Sequence, residues 1–205
     1  MERKKEYFIG LDLAQQIDFS AFAVLTAVTH YGDIPDPVYR NLPKTELLRL
    51  RDAAQCPAHL AYAKIPSVVY QIRCALGWDL PITLAVDASG PGRPVVDMIK
   101  ASSPQVEIQP YVIVPGGAGL NNRKDGYTIG RQTLLSSLRV ALETRLLQLP
   151  GNLHCRQQLI DQLMGTSIDG PSHTHDDLVF ALALAVVSAS TRNPSLLKTP
   201  LDNAP

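Results

Sequence analysis

Asp12, Asp87 and the adjacent Asp176 and Asp177 are the residues whose settings suggest chemistry. Asp12 closes an apolar run in Gly10-Leu11-Asp12-Leu13-Ala14, and Asp87 closes Leu84-Ala85-Val86-Asp87. Asp176 and Asp177 open the apolar stretch that begins at Leu178. Hard divalent cations prefer carboxylate oxygens. Two such ions roughly 4 Å apart can clamp an in-line displacement at phosphorus, one activating water and the other stabilising the departing oxygen. That chemistry needs several acids and a groove for a phosphodiester backbone.

Each acid also has a purely structural reading. Asp12 could cap a turn at a strand end. Asp87, followed by Ser89, Gly90 and Gly92, could be a turn former. Thr174-His175-Asp176-Asp177 fits a capping box with Thr174 as N-cap and Asp177 at the third helical position, and Asp176 suits the positive end of a helix. The occurrence of all these acids in one order favours the metal reading.

The elements that must position them can be read from periodicity. Tyr7–Leu13 and Ala21–Thr29 read as strands joined by a short polar link, and 38–42 reads as a third, which makes an antiparallel meander. Ser67–Leu76 reads as a helix stopped by Gly77, and Ile82–Val86 as a buried strand running into Asp87. Arg93–Ala101 follows as a helix with Pro94 in its first turn. Glu107–Val114 is the next strand, and its Pro110 marks it as an edge candidate. Pro115–Gly126 reads as a mobile loop. Ile129–Arg145 and Leu153–Met164 read as amphipathic helices around a short strand at Arg145–Pro150, and Asp176–Ser190 as a buried helix.

Strands leading into helices lie parallel to the first strand. The expected class is therefore α/β: a mixed sheet, with a three-stranded antiparallel meander plus two parallel strands, flanked by helices. The carboxyl ends of parallel neighbours open onto one crevice, which brings Asp12 and Asp87 to the same edge. One domain over residues 1–192 and a loose tail over 193–205 are expected.

The chain has 205 residues, 45% of them hydrophobic, with 19 basic and 19 acidic side chains. Zero net charge neither announces nor excludes a nucleic-acid partner. Cys56, Cys74 and Cys155 are an odd count at wide spacing, which fits neither a disulfide framework nor a zinc site and suits a reducing cytoplasm. The opening apolar run is too short for a signal peptide. The longest one, Leu178–Val187, is too short for a membrane span.

The order of motifs resembles a known family. Phe8-Ile9-Gly10-Leu11-Asp12-Leu13-Ala14, with Asp18 and Ser20-Ala21 following, is similar to the first motif of the nuclease domain of phage terminase large subunits. Val86-Asp87-Ala88-Ser89-Gly90-Pro91-Gly92, with Val95-Val96-Asp97, resembles the second. His175-Asp176-Asp177-Leu178-Val179-Phe180-Ala181-Leu182-Ala183 resembles the third. Lys124, the helix to Thr144 and Arg145–Pro150 look like the segment between the last two. The resemblance spans about Tyr7 to Ala189.

It implies a ribonuclease-H-like fold, related to Holliday-junction resolvases, and endonucleolytic cleavage of double-stranded DNA with two divalent cations, Mg2+ or Mn2+. Asp12 would bridge both ions, Asp87 would hold one, and Asp177, with Asp176, the other. Implied partners are duplex DNA, an ATPase motor domain that is separate or missing, a small terminase subunit and a portal, in the cytoplasm of a host cell. Related third motifs often carry an acid where this chain has Phe180, which shifts weight onto Asp176. Residues 44–60 match nothing in the family.

No G-x-x-x-x-G-K-[ST] phosphate loop is present, and Gly116-Gly117-Ala118-Gly119 lacks its Lys-Ser/Thr ending. The chain reads as a nuclease domain alone, whether a fragment or a separate gene product. Arg123, Lys124 and Arg131 cluster beside that glycine loop and could contact DNA phosphates; the alternative is a solvated basic loop. Asp18 could brace the first hairpin, and His175 could orient an acid or a water. Two rivals stay open: an actin-like or sugar-kinase-type phosphotransferase, and a non-catalytic packaging or docking module on the same fold.

Overall fold

The computed structural model describes residues 2–13, 19–32, 44–90, 92–102, 104–170 and 175–197. Asp18, His173, Thr174, residues 38–42 and the tail from 198 onward lie outside these.

Strands β1 (Glu2–Asp12), β2 (Ala21–Tyr31) and β3 (Lys44–Gln55) form the antiparallel meander. β4 (Ile82–Asp87) lies parallel to β1, and β5 (Glu107–Val114) parallel to β4. This is the mixed sheet expected from the sequence, extended at both edges. A hairpin of β6 (Asn121–Arg123) and β7 (Gly126–Gly130) adds beyond β5, and β8 (Leu147–Gln148) pairs parallel to β3. The complete order is β6-β7-β5-β4-β1-β2-β3-β8.

Side chains alternate across the sheet and sort the core into two layers. Tyr7, Ile9, Leu11, Leu84 and Val86 face helices α1 (Ile65–Leu76) and α2 (Gly92–Ala101). Phe8, Leu25, Leu48, Leu50 and Ala85 face α3 (Arg131–Glu143), α4 (Arg156–Gly165) and α5 (Asp177–Arg192). Every residue of β4 is buried, as a strand covered on both faces must be.

α5 is the central helix of its layer. From Asp177 to Ala189 only Phe180 is not buried. Its alanine-rich composition suits this, because small side chains allow close approach to the sheet on one side and to α3 and α4 on the other. The approach is closest at Gly10, where a Cβ would stand 1.8 Å from the Ala181 carbonyl oxygen. At its far end Arg192 reaches Glu6 at 3.6 Å, and Asn193 donates to Glu46 at 2.6 Å. α5 thus runs antiparallel to β1, and its first residue lies at the carboxyl edge of the parallel strands.

Three expectations are corrected. The third strand that pairs with β2 is Lys44–Gln55; residues 38–42 lie outside the described residues. Residues 115–126 include β6 and the start of the β6–β7 hairpin rather than a plain loop. β5 is interior in spite of Pro110. The Tyr111 carbonyl accepts from Ala88 on the β4 side, so the Pro110 nitrogen faces β7, where pairing begins only at Tyr111. The missing N–H falls outside the ladder. Among the described residues no helix is long and apolar enough to cross a membrane.

Candidate metal centre

The site begins with strand register. Leu11 and Val86 are the last registered pair of β1 and β4, and Asp12 and Asp87 each come one residue later. Asp12 also pairs with Ala21, Ala21 with Gln55, and Asp87 with Tyr111. Gln55, Ala21, Asp12, Asp87 and Tyr111 therefore form one transverse row, with adjacent strands about 4.8 Å apart. Leu11 and Val86 point to the α1–α2 layer, so alternation turns Asp12 and Asp87 to the α5 side.

Asp177 comes to the same level by a different route. It lies one turn before Ala181, which is about 6 Å of helix. Asp12 lies two residues beyond Gly10, about 6.6 Å of strand. Since Ala181 sits on Gly10, the two offsets match, and the start of α5 hangs over the row.

The local environments differ. Asp87 is 8% exposed, and burial raises its carboxyl pKa, partly countered by hydrogen bonds from Ser89. The Ser89 amide donates to Asp87 Oδ1 at 2.8 Å, while the Ser89 hydroxyl accepts from the Ile113 amide at 2.9 Å and so ties the turn to β5. Asp12 is half-buried. Asp177 is 5% exposed, and its Oδ2 accepts from Gln55 Nε2 at 2.8 Å.

Asp176 is the N-cap of α5 and makes no side-chain cap hydrogen bond. Its carboxylate lies 3.5 Å from Arg131. Arg131 also donates to the carbonyls of Ser167 at 2.7 Å and Ile168 at 3.2 Å, and lies over the Phe180 ring at 5.4 Å. Phe180, where the family resemblance led one to expect an acid, thus supports a cation beside Asp176. His175 meets Phe19 edge-on with ring centroids 6.0 Å apart.

The capping box is not formed as the sequence suggested. Asp177 is the first helical residue, not the third. The Leu178 amide is instead satisfied by Gln162 Oε1 from α4 at 3.0 Å.

The basic residues separate. Arg123 and Lys124 are exposed at the tip of the β6–β7 hairpin, beside the Asp125–Arg93 ion pair at 3.0 Å. Arg131 opens α3 at the other end of β7, roughly 15 Å of strand away.

Among the described residues, no group of three His, Cys, Asp and Glu side chains converges closely enough to hold one ion. Asp12 and Asp87 are neighbours by register, whereas Asp177 is turned to Gln55. All-oxygen donors, two of them carboxylates buried against their solvation cost, nevertheless suit a hard divalent cation. Gln55 and Gln162 carry no signature in the sequence, whereas Ser89 belongs to the turn already read after Asp87. A search for partners of Asp177 could have found Gln55 only once β3 and its register with β2 were known.

The fold can be compared with solved structures. The large terminase nuclease from the thermophilic phage G20c, with bound zinc, superposes with a TM-score of 0.52 at 18% identity, over 90% of this chain and 81% of that one. The large terminase (g2p) nuclease domain from bacteriophage SPP1, with bound manganese, superposes with a TM-score of 0.51 at 11% identity, over 91% of this chain and 88% of that one. The chain has the fold of a phage large-terminase nuclease. No protein-family model matches the sequence, and no curated protein matches it. The terminase-nuclease likeness is therefore one of backbone architecture.

Proposed function

We propose that this chain is a metal-dependent endonuclease that cleaves double-stranded DNA by a two-metal-ion mechanism in terminase-type packaging of a viral genome. The observation that carries the proposal is the placement of Asp12 and Asp87 side by side at the carboxyl edge of the sheet, under the start of α5. The terminase-nuclease fold supports it.

Asp12, Asp87 and Asp177 are the residues that would hold the ions, with Asp176 a weaker candidate because Arg131 pairs with it. Bound Mg2+ or Mn2+ would supply acidified water and charge neutralisation at the scissile phosphate. The chain's own contribution is placement. Register sets the spacing of Asp12 and Asp87, the Ser89 amide fixes one Asp87 oxygen, and Gly10 lets α5 bring Asp177 over the row. Arg123, Lys124 and Arg131 would contact DNA phosphates, with Arg131 also steadying the loop before α5. An ATPase motor, a small terminase subunit and a portal are the partners this reading entails, in the cytoplasm of a host cell.

The test is nicking of supercoiled plasmid with Mg2+, Mn2+, Ca2+ or chelator, using wild type and Asp12→Asn. Cleavage by wild type with Mn2+ and its loss in Asp12→Asn are expected. Wild-type rates in Asp12→Asn would remove Asp12 from the site. A non-catalytic docking module is the second reading, favoured by the turn of Asp177 toward Gln55. Failure of the chain to bind Mn2+ in a calorimeter would decide for it.

A further inference from the structure

β3 carries a second group of charged side chains, away from the row of acids. Thr26 pairs with Tyr7 on one side and with Arg49 on the other, and Val24 pairs with Asp52. Paired residues share a face of the sheet, and Tyr7 and Val24 face the α1–α2 layer. Arg49 and Asp52 therefore stand on the face opposite to Asp12 and Asp87. There β2, β3 and the loop 150–154 between β8 and α4 border a cavity of about 370 Å3.

The lining is of three kinds. Arg49 and Arg51 bring guanidinium groups, Asp52 brings a carboxylate, and Val28 and Leu153 bring apolar surface. Arg51 is exposed yet held in place. Its Nη1 donates to the Tyr7 hydroxyl at 3.2 Å, and its guanidinium carbon lies 5.5 Å from the centre of the Tyr7 ring. Tyr7 is itself 3% exposed, so the support is fixed. Both contacts are to one neutral side chain, which orients the guanidinium and leaves its charge uncancelled. An arginine ordered in advance binds an anion at a smaller entropy cost. Arg49 is oriented from β8, donating to Gln148 Oε1 at 3.4 Å.

These groups select a ligand. A guanidinium only donates, and its fork matches phosphate oxygens. A carboxylate can only accept, so Asp52 repels a bare anion and needs a hydroxyl or amino donor on the same ligand. An amino-acid zwitterion would meet both charges but fill a small part of the cavity, and a sugar would bring no anion to Arg51. The volume lies at the lower end for small-molecule sites, roughly 300–1,000 Å3. A nucleoside phosphate supplies all three partners: its phosphate meets Arg51, a sugar hydroxyl or base amino group meets Asp52, and its rings cover Val28 and Leu153.

We propose that the cavity between β3 and the loop 150–154 binds a nucleoside phosphate, with Arg51 as the anchor of the phosphate. The inference does not depend on the metal centre. Two sources share this chemistry, a free nucleotide and one nucleotide unit of a DNA strand, and competition separates them.

His154 lines the same cavity and is exposed, so its imidazole proton signals are a local reporter. The full chain, in chelator, is titrated with AMP and with inorganic phosphate at millimolar concentration, for wild type, Asp12→Asn, Arg51→Met, Arg51→Lys and Asp52→Ala. AMP should move the His154 signals in wild type and in Asp12→Asn alike, and inorganic phosphate should bind at least about 10-fold more weakly, since it offers Asp52 no neutral donor. Arg51→Met should weaken AMP about 10-fold or more, and Arg51→Lys less, because it keeps the charge without the fork. Asp52→Ala should narrow the gap between AMP and inorganic phosphate. Displacement of AMP by a short thymidine oligonucleotide would assign the site to a DNA strand, and retention of AMP would assign it to a free nucleotide; either supports the inference. A silent His154 in wild type, equal binding of AMP and inorganic phosphate, or wild-type affinity in Arg51→Met would overturn it. If Arg51→Met loses its cooperative melt, Arg51→Lys decides, and unchanged AMP affinity there counts against the inference. Loss of Mn2+-dependent cleavage in Asp12→Asn bears on the metal centre alone, because AMP binding is read without metal.

Discussion

Gly10 of β1 and Ala181 of α5 meet so closely that a Cβ on Gly10 would lie 1.8 Å from the Ala181 carbonyl oxygen and 2.8 Å from the Ala185 amide nitrogen. Both neighbours are backbone, so no rotamer change can relieve the clash. Gly10→Ala should destabilise the fold by about 3 kcal/mol or more, at the upper end for overpacking, measured by urea unfolding. Residual folded protein should bind Mn2+ poorly, because displacing α5 also displaces Asp177. A Gly10→Ala protein with wild-type stability would mean that α5 does not rest on β1 as described.

Asp12→Asn separates metal binding from folding. Asparagine matches aspartate in size and keeps a side-chain acceptor, so the replacement should change the metal-free melting temperature less than it changes the gain from Mn2+. Wild type should gain roughly 2.7 kcal/mol at a Mn2+ concentration 100-fold above its dissociation constant. Asp12→Asn should lose most of that gain, as read by thermal melts with and without Mn2+. An equal gain in both proteins would place the ion elsewhere.

How much of this was legible in the sequence depended on whether the signal was local. Leu84-Ala85-Val86-Asp87 announces a buried strand ended by an acid, and Leu178–Val187 announces a helix with no solvent face; both are where the sequence suggested. β3 was not legible. Leu47 and Leu48 are adjacent and blur the alternation, and the ladder with β2 shifts register at Val24/Leu25. β7 is five residues bounded by glycines, Gly126 and Gly130, and so reads as a loop until β5 is there to pair with it. Gln55 and Asp177 are 122 residues apart, and a neutral side chain whose role is set by sheet register leaves no spacing to find.

Tyr111, the register partner of Asp87, supplies a pH dependence that needs no metal. Burial is the main cause that pushes its phenol up to about 12, and its hydroxyl meets Gln109 at 3.3 Å and Thr191 at 3.5 Å. A folded-state value above the unfolded value of about 10 means that the neutral phenol's contribution is complete below pH about 10. That contribution is lost as pH rises through about 12. Wild type should therefore lose stability across that window, and Tyr111→Phe should lose less, although the variant starts about 1 kcal/mol lower for the missing hydrogen bond. Urea midpoints at pH 8, 10 and 11 check the prediction, and parallel declines in the two proteins would refute it.

Arg123 and Lys124 are exposed together at the hairpin tip. If they neutralise DNA phosphates, each should contribute about 0.9 to the slope of log affinity against log salt. The double variant Arg123→Ala/Lys124→Ala should flatten that slope by about 2 for duplex DNA bound in Ca2+, with an unaltered melting curve. A slope equal to wild type would return the hairpin to an ordinary solvated turn.

Asp176 and Asp177 divide the remaining question between them. They are adjacent but face different partners: Asp176 meets Arg131, and Asp177 meets Gln55. Asp176 is about a quarter exposed, and its ion pair is long at 3.5 Å, so its loss should cost at most about 1 kcal/mol. Asp176→Ala should keep part of the cleavage activity. Asp177→Ala removes a buried carboxylate and strands the Gln55 donor, so it should lose nearly all cleavage and also melt earlier. Asp177→Asn distinguishes these two losses, because the asparagine carbonyl can still accept from Gln55 while the charge that holds a cation is gone. It should melt close to wild type and still fail to cut DNA or to bind Mn2+ tightly. Normal cutting by Asp177→Asn, with early melting confined to Asp177→Ala, would make Asp177 an anchor of α5 alone and leave the third ligand to be sought elsewhere.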